Sequence, residues 1–258
     1  MGEQFQGKVA LVTGGGSGIG RATALAFAGE MAKVVVTDIL VKGGEETVRM
    51  IKETGGKSIF VKADVSKQSE VEGFILKAIE SYGRIDFAFN NAGIGQPPSL
   101  TADYGKEIWD SIISTNLNSI WLCMKYEIQQ MLKQGAGAIV NSSSGAGLFG
   151  VPTMSAYSTS KHGILGLTKT AALEYARAGI RINAVCPGPI ATEGNKAYVA
   201  AHPELEEKFA AMSPMKRFGT PEEIAAAVLW LCSDAASYIT GIAMPIDGGQ
   251  AAQGSTVE

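Results

Sequence analysis

Apolar runs of strand length recur along the 258-residue chain, at 9–13, 33–38, 58–62, 85–90, 137–142, 180–185 and 242–246. Most are continuous rather than alternating, the pattern of strands covered on both faces. Between them lie stretches with helical spacing of apolar residues, at 21–29, 42–54, 67–82, 108–134, 156–178 and 221–232. This alternation predicts an α/β fold, one doubly wound domain over residues 1–250 with a parallel sheet and helices on both faces. Ligands of such sheets bind at the carboxyl ends of the strands. The rhythm breaks between Pro187 and Pro221, where no strand is expected. There Tyr198, Val199, Leu205, Phe209, Met212 and Met215 stand among charged residues. One or two short helices are expected, and the 189–219 insert reads as a substrate lid or as a solvated loop. Residues 251–258 read as a small, polar, disordered tail.

Composition narrows the picture. Net charge is −3 with both signs interspersed, which points away from nucleic acid and from anionic membrane surfaces. Cys123, Cys186 and Cys232 are far apart and make no C-x-x-C, as expected of buried thiols in a reducing compartment. No apolar run reaches the roughly 18 residues of a membrane span. Nor does the start of the chain carry a basic-then-apolar leader, so a cytoplasmic protein is expected. With only His162 and His202, no metal site is expected.

The densest chemistry follows the first strand, in Thr13-Gly14-Gly15-Gly16-Ser17-Gly18-Ile19-Gly20. A buried strand, a glycine turn and a helix start make an anion site, because free N–H groups and the helix dipole point at one place. The spacing Gly14-x-x-x-Gly18-x-Gly20 differs from G-x-G-x-x-G. Arg21 and Ala22 stand where a phosphate-binding loop for nucleoside triphosphates needs Lys and Ser or Thr, which argues against an NTPase. Asp38 closes the second strand. It is placed to bond adenosine ribose hydroxyls, or simply to end the strand in a turn. Against a 2′-phosphate at ~4 Å it would cost about 4 kcal/mol at an effective dielectric of ~20, so NAD is expected over NADP. Ser17, in place of a phosphate-binding Arg, agrees.

Tyr157 and Lys161 are four apart, on one face if residues 156 onward are helical. Bringing a phenol from a pKa near 10 to about 7 takes about 4 kcal/mol, and a neighbouring ammonium and a cationic nicotinamide have the right sign. The same spacing also arises from packing and solvated surface alone. Ser144 lies just past the fifth strand, where its hydroxyl can bond the oxygen of a reacting carbonyl or alcohol. Asn90-Asn91-Ala92-Gly93 ends the fourth strand, either beside a cofactor or as an Asx turn. Asn116 falls inside a helical pattern that does not favour it, where an amide can bend the helix or hold a water. Pro187-Gly188-Pro189-Ile190-Ala191-Thr192 stiffens the exit to the insert, and the Thr192 hydroxyl is in reach of a carboxamide.

Taken together these motifs resemble the short-chain dehydrogenase/reductase family over nearly the whole chain. Thr13 and Gly14-x-x-x-Gly18-x-Gly20 are similar to its cofactor turn, Asp64-Val65 to its adenine contact, and Asn91-Ala92-Gly93 to its fourth-strand motif. Asn116, Ser144, Tyr157 and Lys161 match its catalytic tetrad, Pro187-Gly188 with Ile190 and Thr192 its nicotinamide clamp, and Asp247-Gly248-Gly249 its last strand end. The resemblance implies a Rossmann-like domain with a seven-stranded sheet, bound NAD, and a homotetramer of 222 symmetry. Helices 108–134 and 156–178 would then pack on a second subunit, with Ala171, Ala172 and Ala176 allowing close approach. It also implies roles. Tyr157 exchanges a proton with the substrate oxygen, Ser144 holds that oxygen, Lys161 bonds the nicotinamide ribose and favours phenolate, and Asn116 positions a relay water. Pocket walls are expected from Gly95, Gln96, Gly145, Phe149, Met154, Pro189, Phe209 and Met212, with Gln96, Phe149 and Met154 touching substrate. That mostly apolar set points to a hydrophobic or cyclic secondary alcohol or its ketone. Three rival readings are weaker on these residues. An epimerase or dehydratase lacks the glycine spacing, a non-catalytic NAD-binding regulator needs no tetrad, and an NADPH-linked reductase of carrier-bound 3-oxoacyl groups conflicts with Asp38 and Ser17.

Overall fold

Seven parallel strands form one sheet in the order β3-β2-β1-β4-β5-β6-β7. The computed structural model describes residues 4–253. The strands are β1 Val9–Thr13, β2 Lys33–Asp38, β3 Lys57–Lys62, β4 Phe87–Asn90, β5 Gly137–Ser142, β6 Ile180–Pro187 and β7 Ala243–Ile246. All seven expected strands are present, with ends shifted by a residue or two. Burial on both faces explains their continuous apolar runs. Val9 and Leu11 of β1 join one core with Val71 and Phe74 of helix α3 (Gln68–Tyr82) and Met124 and Ile128 of helix α5 (Ser119–Gln134). Ala10 and Val12 join the opposite core with Phe27 of helix α1 (Gly18–Gly29), Ile51 of helix α2 (Val41–Glu53) and Val228 of helix α9 (Pro221–Cys232). Each large side chain so buried contributes about 1.5–3 kcal/mol. Helix α9 starts where Pro221 predicts, because Thr220 and Glu223 form a capping box.

The chain winds outward from β1 through β2 to β3, then returns to lay β4 on the other side of β1, with Val12 beside Phe89. The carboxyl ends of β1 and β4 therefore diverge into opposite loops and leave a crevice between them. Every motif singled out above lies at that edge of the sheet or on the helices beside it.

The 108–134 helix is in fact two. Helix α4 (Lys106–Ile113) passes into one wide turn over Ser114–Asn118, where Ser119 N–H bonds the Ser114 carbonyl five residues back, and then into α5. Asn116 sits in that turn, fully buried. A helix α6 (Ser155–Tyr175) carries Tyr157 and Lys161 and ends in a tighter turn at Ala176–Ala178. Its Ala171 and Ala172 are buried in this chain's own core, not presented to a second subunit as expected, whereas Leu173 is 82% exposed. The insert holds helices α7 (Glu193–Ala201) and α8 (Glu206–Ala211). At the chain end, Gln250–Ala252 form a helical turn, and Gln253 Nε2 donates to the Met212 carbonyl at 2.9 Å. The expected disorder does not hold there, and residues 254–258 lie outside the described ones. Among the described residues no helix is long and apolar enough to cross a membrane.

Candidate active site

The glycine turn is built by close approach. Gly14 has φ +62, and a Cβ on it would stand 2.9 Å from Ala92 Cα. On Gly20, a Cβ would collide with the Gly14 carbonyl oxygen. Thr13 binds the turn to β4, its hydroxyl accepting from Asn91 N–H at 2.9 Å and Ala92 N–H at 3.1 Å, while Asn91 Nδ2 donates to the Thr13 carbonyl at 3.2 Å. Asp38 Oδ2 accepts from Gly16 N–H at 2.9 Å and Oδ1 from Leu40 N–H at 2.9 Å. Asp38 thus both closes its strand and fixes the glycine turn, with lone pairs left for a ribose.

Two observations test whether a dinucleotide suits this edge. Ser17 precedes α1 with no side-chain cap, so the first N–H groups of the helix have no partner of their own. Into that place comes the Glu193 carboxylate, Oε2 accepting from Gly18 N–H at 2.7 Å and Oε1 from Arg21 Nη1 at 3.1 Å. Burial pushes this carboxyl up, but backbone hydrogen bonds, that from Gly18 among them, outweigh it and hold it below its usual value. The turn therefore accepts an anionic oxygen, as a pyrophosphate would require. Glu193 was not singled out in the sequence. An acid in the first turn of a helix is an ordinary feature, and only the fold brings it 175 positions back to Gly18. Just past β3, Asp64 Oδ1 accepts from Ser66 N–H at 3.0 Å and Ser66 Oγ at 2.7 Å, and Val65 is buried in the core.

Beside the turn opens a cleft of about 500 Å³ lined by Ile19, Asn91, Gly93, Ser144, Tyr157, Lys161, Pro187, Gly188, Ile190 and Thr192. Gly95, Gly145, Phe149, Met154, Pro189, Phe209 and Met212 line it as expected, joined by Tyr198 and Phe218 of the insert. Lys161 is buried and its Nζ donates to the Ser142 carbonyl at 2.9 Å while standing 5.4 Å from the Tyr157 ring centre. Ser143 Oγ donates to the Lys161 carbonyl at 2.8 Å, pinning the helix to the end of β5. Ser144 Oγ accepts from Ala146 N–H at 3.2 Å. Thr192 uses its hydroxyl to cap α7, accepting from Asn195 N–H at 3.2 Å.

Burial sets the charge states of Tyr157 and Lys161 in the chain alone. Desolvation by burial lowers the Lys161 ammonium to about 8. Burial also raises the Tyr157 phenol, with the Ser144 hydroxyl opposing. The protein alone therefore favours phenol over phenolate. Behind the site, Asn90 Nδ2 donates to Glu127 Oε2 at 3.0 Å and Asn141 Oδ1 at 3.1 Å, and burial lifts Glu127 to about 8.

Two residues make contacts that their sequence positions did not announce. Asn116 Oδ1 accepts from Ile94 N–H at 2.8 Å and Nδ2 donates to the Ile94 carbonyl at 2.9 Å. Its amide clamps the segment after β4 and keeps a second Oδ1 lone pair and a second Nδ2 N–H. Gln96 turns from the cleft: Oε1 accepts from Tyr157 N–H at 2.7 Å and Nε2 donates to the Thr153 carbonyl at 3.1 Å.

Known proteins are similar to this chain along nearly its whole length. A family model described as enoyl-(acyl carrier protein) reductase matches residues 14–251. The protein named short chain dehydrogenase/reductase astE, of Aspergillus oryzae, is 46% identical over 95% of each chain. Cyclohexanol dehydrogenase of an Acinetobacter species is 42% identical over 96% of each. The crystal structure of levodione reductase superposes with a TM-score of 0.93 at 40% identity, covering 97% of this chain and all of that one. With a family model matched over residues 14–251 and relatives above 40% identity along nearly the whole length, the chain belongs to the short-chain dehydrogenase/reductase family, oxidoreductases that act on CH–OH groups with a nicotinamide cofactor.

Proposed function

We propose that the protein transfers hydride between NAD(H) and a hydrophobic, cyclic secondary alcohol or its ketone. The observation that carries this reading is the cleft itself, in which Ser144, Tyr157 and Lys161 meet beneath an apolar roof of Phe149, Met154, Phe209 and Met212. Cyclohexanol dehydrogenase and levodione reductase, by name, act on ring compounds. In this reading residues 1–250 act as one catalytic domain with the 189–219 insert as its lid.

The turn from Gly14 to Gly20 would hold the pyrophosphate, Asp38 the adenosine ribose, Asp64 and Val65 the adenine, and residues 187–192 the carboxamide. The nicotinamide supplies or accepts the hydride. The chain's own residues handle the proton and the charge. Ser144 Oγ bonds the substrate oxygen. In reduction the Tyr157 hydroxyl gives its proton to that oxygen, and in oxidation the phenolate takes it back. Lys161, with one of its N–H groups on Ser142, has others free for a ribose hydroxyl.

The test is absorbance at the NADH band, with cyclohexanols plus NAD⁺ and cyclohexanones plus NADH, beside 3-oxoacyl and enoyl thioesters with either cofactor. Turnover on ring compounds with NAD(H) is expected. Activity confined to thioesters with NADPH would overturn the reading in favour of a carrier-type reductase, and tight NADH binding with no turnover would favour a regulator. Asp38→Ala should lower the NAD-to-NADP ratio of kcat/KM by tens-fold, since one like-charge repulsion of about 4 kcal/mol is removed before screening. It should also raise KM for NAD, because Gly16 N–H loses its partner. An unchanged ratio would remove Asp38 from the ribose site. A homotetramer is also proposed, supported by Trp121 of α5 and Leu173 of α6, which stand exposed on helices the family resemblance places at a subunit contact.

A further inference from the structure

We infer that Gln96 is a positioning residue for Tyr157, holding the first turn of the catalytic helix and tying it to the segment clamped by Asn116. The inference rests on the reading of Tyr157 as the acid–base group.

Helix α6 begins at Ser155, and Met154 before it supplies no side-chain cap. Tyr157 N–H is among the first N–H groups of the helix, which have no intrahelical partner. Gln96, 61 positions earlier, accepts from it at 2.7 Å. The bonded nitrogen belongs to Tyr157 itself, so this contact locates the Cα from which the phenol hangs. The other end of the amide acts one turn upstream. Thr153 has φ +65, a strained conformation for a β-branched residue. Its carbonyl accepts from Gln96 Nε2 at 3.1 Å and from Ser99 N–H at 3.0 Å. Ser99 also pairs with Met154, a wall of the cleft.

Two residues before Gln96, Ile94 is held through both its N–H and its carbonyl by Asn116. Residues 94–96 therefore form a strap with one end on the buried wide turn and the other on the catalytic helix. Lys161, one turn further along α6, has its own anchor at Ser142 and does not depend on the strap. Loss of the Gln96 contacts should disturb the phenol more than the ammonium, and chemistry more than cofactor binding. Misplacing a reacting group by about 1 Å costs about 10²-fold in rate, so even a partial shift is measurable.

The experiment compares Gln96→Met, of similar length but without hydrogen bonds, with Gln96→Glu, which keeps the acceptor for Tyr157 N–H. Tyr157→Phe is run in parallel. Gln96→Met is expected to lower kcat by about tenfold or more with the NADH dissociation constant within about twofold. The alkaline rise of its oxidation rate should move to higher pH, because the phenol loses the Ser144 hydroxyl that lowers it. Gln96→Glu should recover most of the lost kcat at the plateau. A lowered Tm with unchanged kcat and pH profile would make Gln96 a cap without a positioning role, and equal losses in both variants would overturn the assignment to the Tyr157 bond. An active Tyr157→Phe would instead sink the functional reading, leaving the two failures distinguishable.

Discussion

Tyr157→Phe is expected to lose turnover by about 10²- to 10⁴-fold in both directions while binding NADH as the parent enzyme does. The substitution removes one oxygen and leaves the ring, the helix and the Gln96 bond to the backbone in place. No other group in the cleft can replace the phenol. Ser144 has an ordinary hydroxyl, and in this reading the N–H groups of Lys161 go to the Ser142 carbonyl and the ribose. The direction of the phenol's shift adds a pH dependence. Burial keeps Tyr157 protonated at neutral pH, which serves the donor role in reduction. Oxidation needs the phenolate, which forms as pH rises. Oxidation by the parent should therefore accelerate from pH 7 into the alkaline range while reduction does not, the cation of the oxidised cofactor moving the rise toward neutrality. Steady-state rates across pH check this, and a flat oxidation profile with an active phenylalanine variant would exclude Tyr157 as the proton-exchanging group.

The second large effect has opposite signs in activity and stability. Lys161→Met should lower turnover to a similar degree, yet unfold no earlier than the parent at pH 7. The folded protein holds this ammonium at about 8, against 10.5 in the unfolded chain, because burial desolvates it. Below pH 8 the group is charged in both states and the fold carries the whole cost, about 3 kcal/mol at 1.36 kcal/mol per pKa unit. Between pH 8 and 10.5 the unfolded chain binds more protons than the folded one, so parent stability from this group rises with pH. Methionine fills similar volume without charge, which removes that cost and leaves the Ser142 carbonyl unpaired at about 1–3 kcal/mol. The variant should thus match or exceed the parent Tm at pH 7, and lose that margin as pH approaches 10. Thermal unfolding at the two pH values measures it. A variant much less stable at pH 7 would show that the ammonium is better solvated than its burial implies.

How much of this was legible before any coordinates differs by element, for physical reasons. The strands were legible because parallel strands buried on both faces write themselves as unbroken apolar runs, as Val9–Thr13 does. Helix α9 was legible from its apolar spacing over 221–232, a local signal, and the structure adds the Thr220–Glu223 capping box that fixes its start. The glycine turn, Ser144, Tyr157 and Lys161 were singled out together through the family resemblance, and the structure brings the last three to one cleft. Ala171 and Ala172 were misplaced because small residues mark close packing without saying against what. Here the neighbour is the chain's own core. Gln96, Glu193 and the Asn116 clamp escaped because each works through a partner remote in sequence, as in Gln96 with Tyr157 N–H and Glu193 with Gly18 N–H. A polar side chain met alone in a sequence announces its capacity for hydrogen bonds and not their destination.

The wide turn at Ser114–Asn118 governs the angular phase of everything after it. An α-helix advances about 100° per residue, and a turn closed over five residues rather than four accommodates one residue more than a regular helix would. Ile112 of α4 is buried ahead of the turn, and Ile120, Met124, Ile128 and Met131 of α5 are buried beyond it. The extra residue resets the rotation between the two buried sets. Deleting one residue within the turn would turn the inward stripe of α5 aside by about a quarter of a revolution and carry Glu127 out of its pocket beside Asn90. The turn thus works as a phase adjuster, allowing one continuous helical rod to present Asn116 to the active-site strap and a correctly aimed apolar stripe to the core.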